Sequence, residues 1–448
     1  MPARRRFRPI HWLALVLVVP PVVKLAGLFW PGSGARPVSA EAFAAGRDLF
    51  EHQWTVNDPL ASGDGIGPVF NARSCVECHS QGGGGGGGSV TNNVTVYGLT
   101  GASVVAAAKI PRIGVVHTHA IAPEFQETLH QVHPAMPALA SLPLTTLVNS
   151  PRSVVPSGVT VTQRNTPALF GDGLLDAIPE DALHAEQRRN SAVGRMVGLS
   201  RAVDPAIRGR VARLADGRIG RFGWKGEFAT LDEFVRAACA NELGLSNPSK
   251  PQAISMARSV AASPKVDLSD AQCVLIGDYL RGLPAPIRSI PSDEHYRAQV
   301  EAGAASFEAI GCADCHTPNL GTIAGFYSNL LLHDMGTELA SSTGYYGEPP
   351  AAPSEGSGTP PPVANEWRTP PLWGVADSAP YLHDGRAATL ADAILAHKGE
   401  SVGVAARYQE LKPSEQDAIL AFLGTLRAPR PTSPTTPDTR LASTAAGR

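Results

Sequence analysis

"SCVECHSQGGGGGGGSV", residues 74–90, sets two cysteines and a histidine directly before seven glycines. The same spacing returns in "GCADCHTPNL", residues 311–320. A bare C-x-x-C pair suits a redox dithiol or half of a zinc site, but here each pair is followed at once by histidine, His79 and His316. C-x-x-C-H is the attachment site of a c-type haem, in which the thiols add across the vinyl groups and the adjacent imidazole becomes an axial ligand of the iron. This composition in random order would hold about 0.002 such motifs, so two do not arise by accident. Zinc would want the pairs close together, and Cys75 and Cys312 lie 237 positions apart. The expectation is two covalent haems, one on Cys75, Cys78 and His79 and one on Cys312, Cys315 and His316. The glycine run carries no chemistry of its own and reads as a low-complexity loop, able at most to pass close to a porphyrin without Cβ clashes.

Working outward, the two motifs sit in two copies of a longer pattern. "GRDLFE" from Gly46 matches "GAASFE" from Gly303, and "RNTPALFG" from Arg164 matches "WRTPPLWG" from Trp367. "ATLDEFVRAAC" from Ala229 aligns with "ATLADAILAHK" from Ala388, and "SDAQCVLIGDYLRGLPAP" from Ser269 with "KPSEQDAILAFLGTLRAP" from Lys412. Apolar residues recur at helical spacing, with Ser and Thr where caps belong. The fold expected is mainly α: two duplicated cytochrome c-like helical domains with long loops and minor β, the N-terminal one spanning 41–286 and the C-terminal one 287–429. An insertion follows the first haem motif, and its "VTNNVTVYGL" reads as a strand. The tail 430–448 reads as disordered.

In "TLADAILAHKG", Thr389 caps a helix on which Leu390, Ile394 and His397 share one face. His397 is thus a candidate second axial ligand of the C-terminal haem, set against a plain core or surface histidine. The matching N-terminal residue is Ala238, which cannot ligate iron. One haem closed by two protein ligands suits electron transfer, and one left open suits a small molecule such as peroxide. The insertion histidines His117, His119, His130 and His133 are the route by which the first iron would be closed instead. Cys239 and Cys273 read first as an interhelical disulfide, with a thiolate ligand or two buried thiols as alternatives.

The N-terminus places Arg4, Arg5, Arg6 and Arg8 before an apolar run from Trp12 to Val23, and "VSA" ends at Ala40. Residues 1–40 therefore read as a signal peptide or an N-terminal membrane anchor, which sends the protein to the periplasm or beyond. With 38 basic and 40 acidic residues and a net charge of -2, no basic field invites nucleic acid.

At these residues the chain resembles the bacterial di-haem cytochrome c peroxidase and MauG superfamily, and within it the di-haem oxidoreductase branch also labelled CxxC thiol oxidoreductases. "HQWTVNDPLASGDGIGPVFNARSCVECH" (52–79), "TPALFGDGLLDAIPE" (166–180), "GRFGWKGEFATLDEF" (220–234), "ACANELGL" (238–245) and "RTPPLWGVADSAPYLHDGRAATLADAI" (368–394) carry the likeness. The resemblance implies a peroxidatic N-terminal haem, a C-terminal haem passing electrons, and a periplasmic donor such as a small cytochrome or cupredoxin. It also implies calcium between the domains, although no carboxylate-rich loop predicts it. His397 stands where that superfamily has methionine, which lowers the expected potential. "LFGDGL" has Gly171 where its "FWDGRA" has tryptophan, leaving Trp224 and Trp373 as substitutes. Glu180 is the expected catalytic acid over the open iron, with a plain helix N-terminal role as the alternative. His383 in "YLHDGR" is a candidate neighbour of the C-terminal haem. The function expected is reduction of hydrogen peroxide. A pure electron carrier with both irons closed, or a MauG-like or oxygenase-like enzyme acting on another small-molecule or protein substrate, are the alternatives.

Overall fold

The computed structural model describes residues 37–99, 111–125, 158–191, 196, 198, 204–253, 265–341, 344–348 and 363–429. The expected leader up to residue 36, His130, His133 and the tail 430–448 lie outside them. Among the described residues no helix is long and apolar enough to cross a membrane.

Helix α1, Ala40–Glu51, starts where the Ser39 hydroxyl accepts from the Ala42 amide, and it buries Gly46, Leu49 and Phe50. It leads to the short helix α2, Cys75–Cys78. An antiparallel sheet follows, with β1 (Val94–Leu99) central between β2 (Ile113–Val116) and β3 (Val159–Arg164). The strand expected in "VTNNVTVYGL" is β1. Helices α3 (Asp172–Asp176) and α4 (Glu180–Asn190) come next. Helix α5 (Leu231–Glu242) begins at a capping box between Thr230 and Glu233, and α6 (Asp270–Gly282) at one between Ser269 and Gln272. The remainder holds α7 (Glu294–Ala309), α8 (Leu390–Leu395), α9 (Val402–Glu410) and α10 (Pro413–Leu423), with α8 opened by a Thr389–Asp392 capping box. Short helices joined by long irregular segments fit a chain in which capping residues, rather than length, decide where each helix starts.

Two helix crossings are built alike. Helix α1 meets α6 so closely that a Cβ on Gly46 would lie 2.0 Å from the Leu275 carbonyl oxygen. Helix α7 meets α10 with a Cβ on Gly303 falling 1.8 Å from the Ala418 carbonyl oxygen. Only glycine permits such backbone contact, and Leu275 and Ala418 are matching positions of the two aligned segments. Each crossing feeds a hydrophobic cluster. The first holds Phe50, Leu231, Val235, Ile276 and Leu280 around Cys75, Cys78 and Ala238. The second holds Phe307, Ile310, Val404, Ile419 and Phe422 around Cys312, Cys315 and Ile394. The clusters do not respect a cut at residue 286: Phe326, Tyr345, Tyr346 and Trp373 belong to the first, and Ile207 to the second.

The expected Cys239–Cys273 disulfide is not formed. Both are free thiols, 2% and 1% exposed, packed among the apolar side chains of α5 and α6. Burial pushes the Cys273 thiol up to about 11 and Cys239 well above its ordinary value, so they behave as small apolar groups.

Candidate haem sites

Helix α2 opens onto a cavity lined by Cys75, Cys78 and His79 on one side and by Ala238, Cys239 and Glu242 of α5 on another. His79 Nδ1 lies 3.0 Å from the Pro167 carbonyl and 3.2 Å from that of Gly86, so Nδ1 carries the proton and Nε2 keeps its lone pair. Burial, opposed by these two bonds, pulls the ring down to about 4 and keeps it neutral near pH 7. Burial also pushes the Cys75 and Cys78 thiols up to about 12.

The second motif follows Gly311, whose φ of +97° turns the chain out of α7 into the Cys312–Asp314 turn. His316 Nδ1 donates to the Tyr327 carbonyl at 3.0 Å, and burial together with nearby His397 lowers this ring to about 3. A cavity of ≈ 290 Å³ runs from Cys312, Cys315 and His316 past His397 to Trp224, Trp373 and His383. Helix α8 ends at Leu395, so His397 lies just beyond the helix expected to carry it, yet Leu390, Ile394 and His397 line the same cavity. Its Nδ1 donates to the Ala393 carbonyl at 2.7 Å. The His316 and His397 ring centres are 6.5 Å apart, with planes inclined at 63°. Both imidazoles keep Nε2 free of backbone partners, so His316 and His397 are the pair that would hold a haem iron in this cavity.

Ala238 and His397 are matching positions, each eight after a capping threonine, Thr230 or Thr389, with Ala238 inside α5 and His397 just past the end of α8. Where His397 faces His316, Ala238 leaves the cavity beside His79 without a ligand from that position. The described insertion histidines do not fill the gap. His117 is tied through Nε2 to the Asn241 carbonyl at 2.8 Å, and exposed His119 stacks on Phe70 at 5.4 Å. Neither lines either of these two cavities.

Glu180 requires correction. It is the exposed first residue of α4, directly after the exposed Pro179, and lines neither cavity. The acid that reaches the first cavity is Glu242, one turn beyond Ala238 on α5. Asn71 donates to its Oε2 at 2.6 Å. The Tyr346 hydroxyl also favours the carboxylate without forming a well-aligned bond to Oε1, which is buried and unpartnered. Burial outweighs both neighbours and pushes Glu242 up to about 7. The period of α5, counted onward from Ala238, was the available signal. Tyr345 and Tyr346, stacked at 3.8 Å, also line this cavity, and nothing local in the sequence points to them.

Gly171 and Trp373 account for the missing tryptophan. A Cβ on Gly171 would lie 2.6 Å from the Trp373 indole, so the ring of Trp373 fills the space at that position. Thr166, Pro167, Leu169, Phe234 and Tyr345 line both cavities and form the wall between them. Trp224 donates from its indole to the Asn165 carbonyl at 3.1 Å on the larger cavity. His383 is buried, stacked on Trp367 at 3.6 Å, and lines the C-terminal cavity. Among the described residues no group of three or more His, Cys, Asp or Glu is placed to grip a bare ion such as calcium.

Residues 147–426 match the model of a family described as "Di-haem oxidoreductase, putative peroxidase". Among solved structures, the chain is similar to hydrazine synthase of Kuenenia stuttgartiensis at 16% identity and a TM-score of 0.41, over 94% of this chain and 100% of that one. It is similar to the di-haem peroxidase BthA from Burkholderia thailandensis at 15% identity and 0.37, over 88% and 87%. A MauG-like protein associated with microbial copper homeostasis matches at 21% identity and 0.28, over 56% and 90%. No curated protein matches the chain.

Proposed function

The chain belongs to the di-haem oxidoreductase family, and on that premise we propose that it is an exported peroxidase with two covalent c-type haems, in which the N-terminal site handles peroxide and the C-terminal site relays electrons. The residues fit the group. Each motif offers two thiols at a cavity edge, and His79, His316 and His397 each hold Nδ1 against a backbone carbonyl, which fixes the ring and leaves Nε2 as the donor. Cys75, Cys78 and His79 would hold one haem, and Cys312, Cys315, His316 and His397 the other.

The observation that carries the division of roles is the match of Ala238 with His397, each eight positions after the threonine that caps its helix, with only His397 close to a proximal histidine. Haem supplies one-electron chemistry, and an axial position left open admits a small molecule while two protein ligands favour electron transfer. Around the N-terminal site, Glu242 takes the proton from one peroxide oxygen and returns it to the other as the O–O bond breaks. Two electrons and two protons then convert hydrogen peroxide to two waters. With its carboxyl near 7, Glu242 is suited to both directions of transfer. Asn71 orients it. Trp373, seated on Gly171 at the edge of the C-terminal cavity, is the aromatic through which electrons pass between the sites.

The matching glycine crossings at Gly46 and Gly303 support two copies of one cytochrome c unit. The basic and apolar N-terminus supports export to the periplasm, with the leader cleaved or kept as an anchor, and a small periplasmic redox protein as donor. Among the described insertion histidines, His117 and His119 line neither cavity, which favours an open N-terminal site over a carrier with both irons closed by histidine. The test is to express the chain with haem-attachment machinery, count haems per chain by mass and spectrum, and follow peroxide consumption after reduction. Two haems with turnover support the proposal. Two haems without turnover of peroxide or of any peroxide-dependent substrate would leave an electron carrier.

A further inference from the structure

The second half of the glycine run is packed into the protein rather than a loose linker. Gly85 to Gly88 are shielded from solvent. The loop folds back on the haem motif: the Gly85 amide donates to the His79 carbonyl at 2.9 Å, and the Gln81 amide closes the loop by donating to the Gly87 carbonyl at 3.0 Å.

We infer that residues 85–88 form a rigid collar that positions His79 and sets the basicity of its imidazole, an inference that rests on His79 being an axial ligand. The Gly86 carbonyl accepts from His79 Nδ1 at 3.2 Å. The second acceptor, Pro167 O at 3.0 Å, is held by the same loop. The Gly88 amide donates to the Thr166 carbonyl at 3.0 Å and the Leu169 amide donates to the Gly85 carbonyl at 2.7 Å, pinning the segment on both sides of Pro167. Both acceptors of the His79 proton therefore depend on glycine backbone. Sharing that proton between two carbonyls makes the ring a stronger donor to a metal and fixes its orientation. His316 has one such acceptor, Tyr327 O, and no glycine run follows it.

Two positions explain why the residues are glycine. Gly85 has φ of +94°, and a Cβ on Gly86 would fall 1.6 Å from the Gln81 carbonyl oxygen. Any side chain at 86 must push the loop open and carry the Gly86 carbonyl away from His79.

The full chain is prepared with its haems as wild type, Gly86→Ala, Gly88→Ala and Gly84→Ala, and haems per chain are counted first. The N-terminal haem potential is then followed by spectroelectrochemistry, and the ferrous iron–histidine stretch by resonance Raman. G86A raises the potential of that haem and lowers the stretching frequency, leaving the C-terminal haem unchanged. G88A, whose Cβ would lie 2.7 Å from the Cys78 carbonyl and 2.8 Å from Thr166 Cβ, gives a smaller change of the same sign and decides the matter should G86A not fold. G84A, which meets only the Tyr279 hydroxyl at 3.0 Å and Glu51 at 3.8 Å, matches wild type. Two haems per chain with potential and stretch unmoved in G86A and G88A would overturn the collar, as would an equal shift in G84A. A wild type lacking the N-terminal haem would overturn the ligand reading on which the collar rests, and haem counting reports that separately.

Discussion

His316 and His397 face each other across the C-terminal cavity with ring centres 6.5 Å apart, each ring locked through Nδ1 to a backbone carbonyl. The equivalent place opposite His79 is occupied by Ala238, whose methyl can neither ligate nor donate a proton. Exchanging the two side chains tests the division of roles. H397A converts the C-terminal haem from low-spin to high-spin with the N-terminal haem unchanged. A238H closes the N-terminal iron and abolishes peroxide turnover with both haems retained. Optical and paramagnetic spectra of the two variants read both outcomes, and an unaltered C-terminal haem in H397A would remove His397 from the coordination sphere.

The proton-transfer role proposed for Glu242 predicts a definite pH dependence. Peroxide reduction rises with pH along a limb centred near 7, because the carboxylate must accept the first proton. E242Q removes that limb and slows the peroxide step about 10²–10⁴-fold, whereas E180Q on the exposed start of α4 leaves rate and profile as they are. The same shift has a stability sign. The folded carboxyl titrates above its unfolded value of 4.5, so its contribution is present below that value and is lost as pH rises through about 7. Thermal denaturation of wild type and E242Q across that window measures the difference.

Trp373 and Gly171 form a matched pair. G171A forces a Cβ to within 2.6 Å of the indole at a residue with φ of +79°, and the left-handed backbone alone costs about 1–2 kcal/mol. Its melting temperature falls. W373L, by contrast, keeps both haem spectra and slows electron transfer between the sites after rapid reduction of the C-terminal haem. A transfer rate equal to wild type would mean that electrons bypass Trp373.

Cys239 and Cys273 remain thiols. With the other four cysteines in the thioethers proposed above, the denatured holoprotein is expected to react with two equivalents of a thiol reagent, and reductant is expected to leave its melting temperature unmoved. A disulfide would instead give no reactive thiol and a loss of about 2–5 kcal/mol on reduction.

Much of this architecture is legible from local sequence, for identifiable reasons. Thr230 and Thr389 cap their helices through short-range hydrogen bonds, and Val94, Thr95 and Val96 are β-branched, as residues of a strand tend to be. Those signals act within a few residues. Glu242 belongs to no motif of its own, although it stands one helical turn beyond Ala238 on the face that defines the first cavity. Tyr345 and Tyr346 reach that cavity from more than a hundred positions further along the chain, and no local period reports such a contact. Composition was misleading at residues 82–88. A glycine run is flexible in isolation, but here partners distant in sequence, Thr166 and Leu169, hydrogen-bond to it and hold it. The free state of Cys239 and Cys273 is likewise a matter of side-chain direction between two packed helices, which spacing along the chain does not encode.

The measurement that bears most directly on the account is the low-temperature electron paramagnetic resonance spectrum of the ferric holoprotein, integrated against total haem. One high-spin and one low-spin haem per chain is the predicted result, with the low-spin signal from the His316–His397 site. Two low-spin haems would contradict it, placing a protein ligand on the iron beside Ala238 and leaving no open site for peroxide.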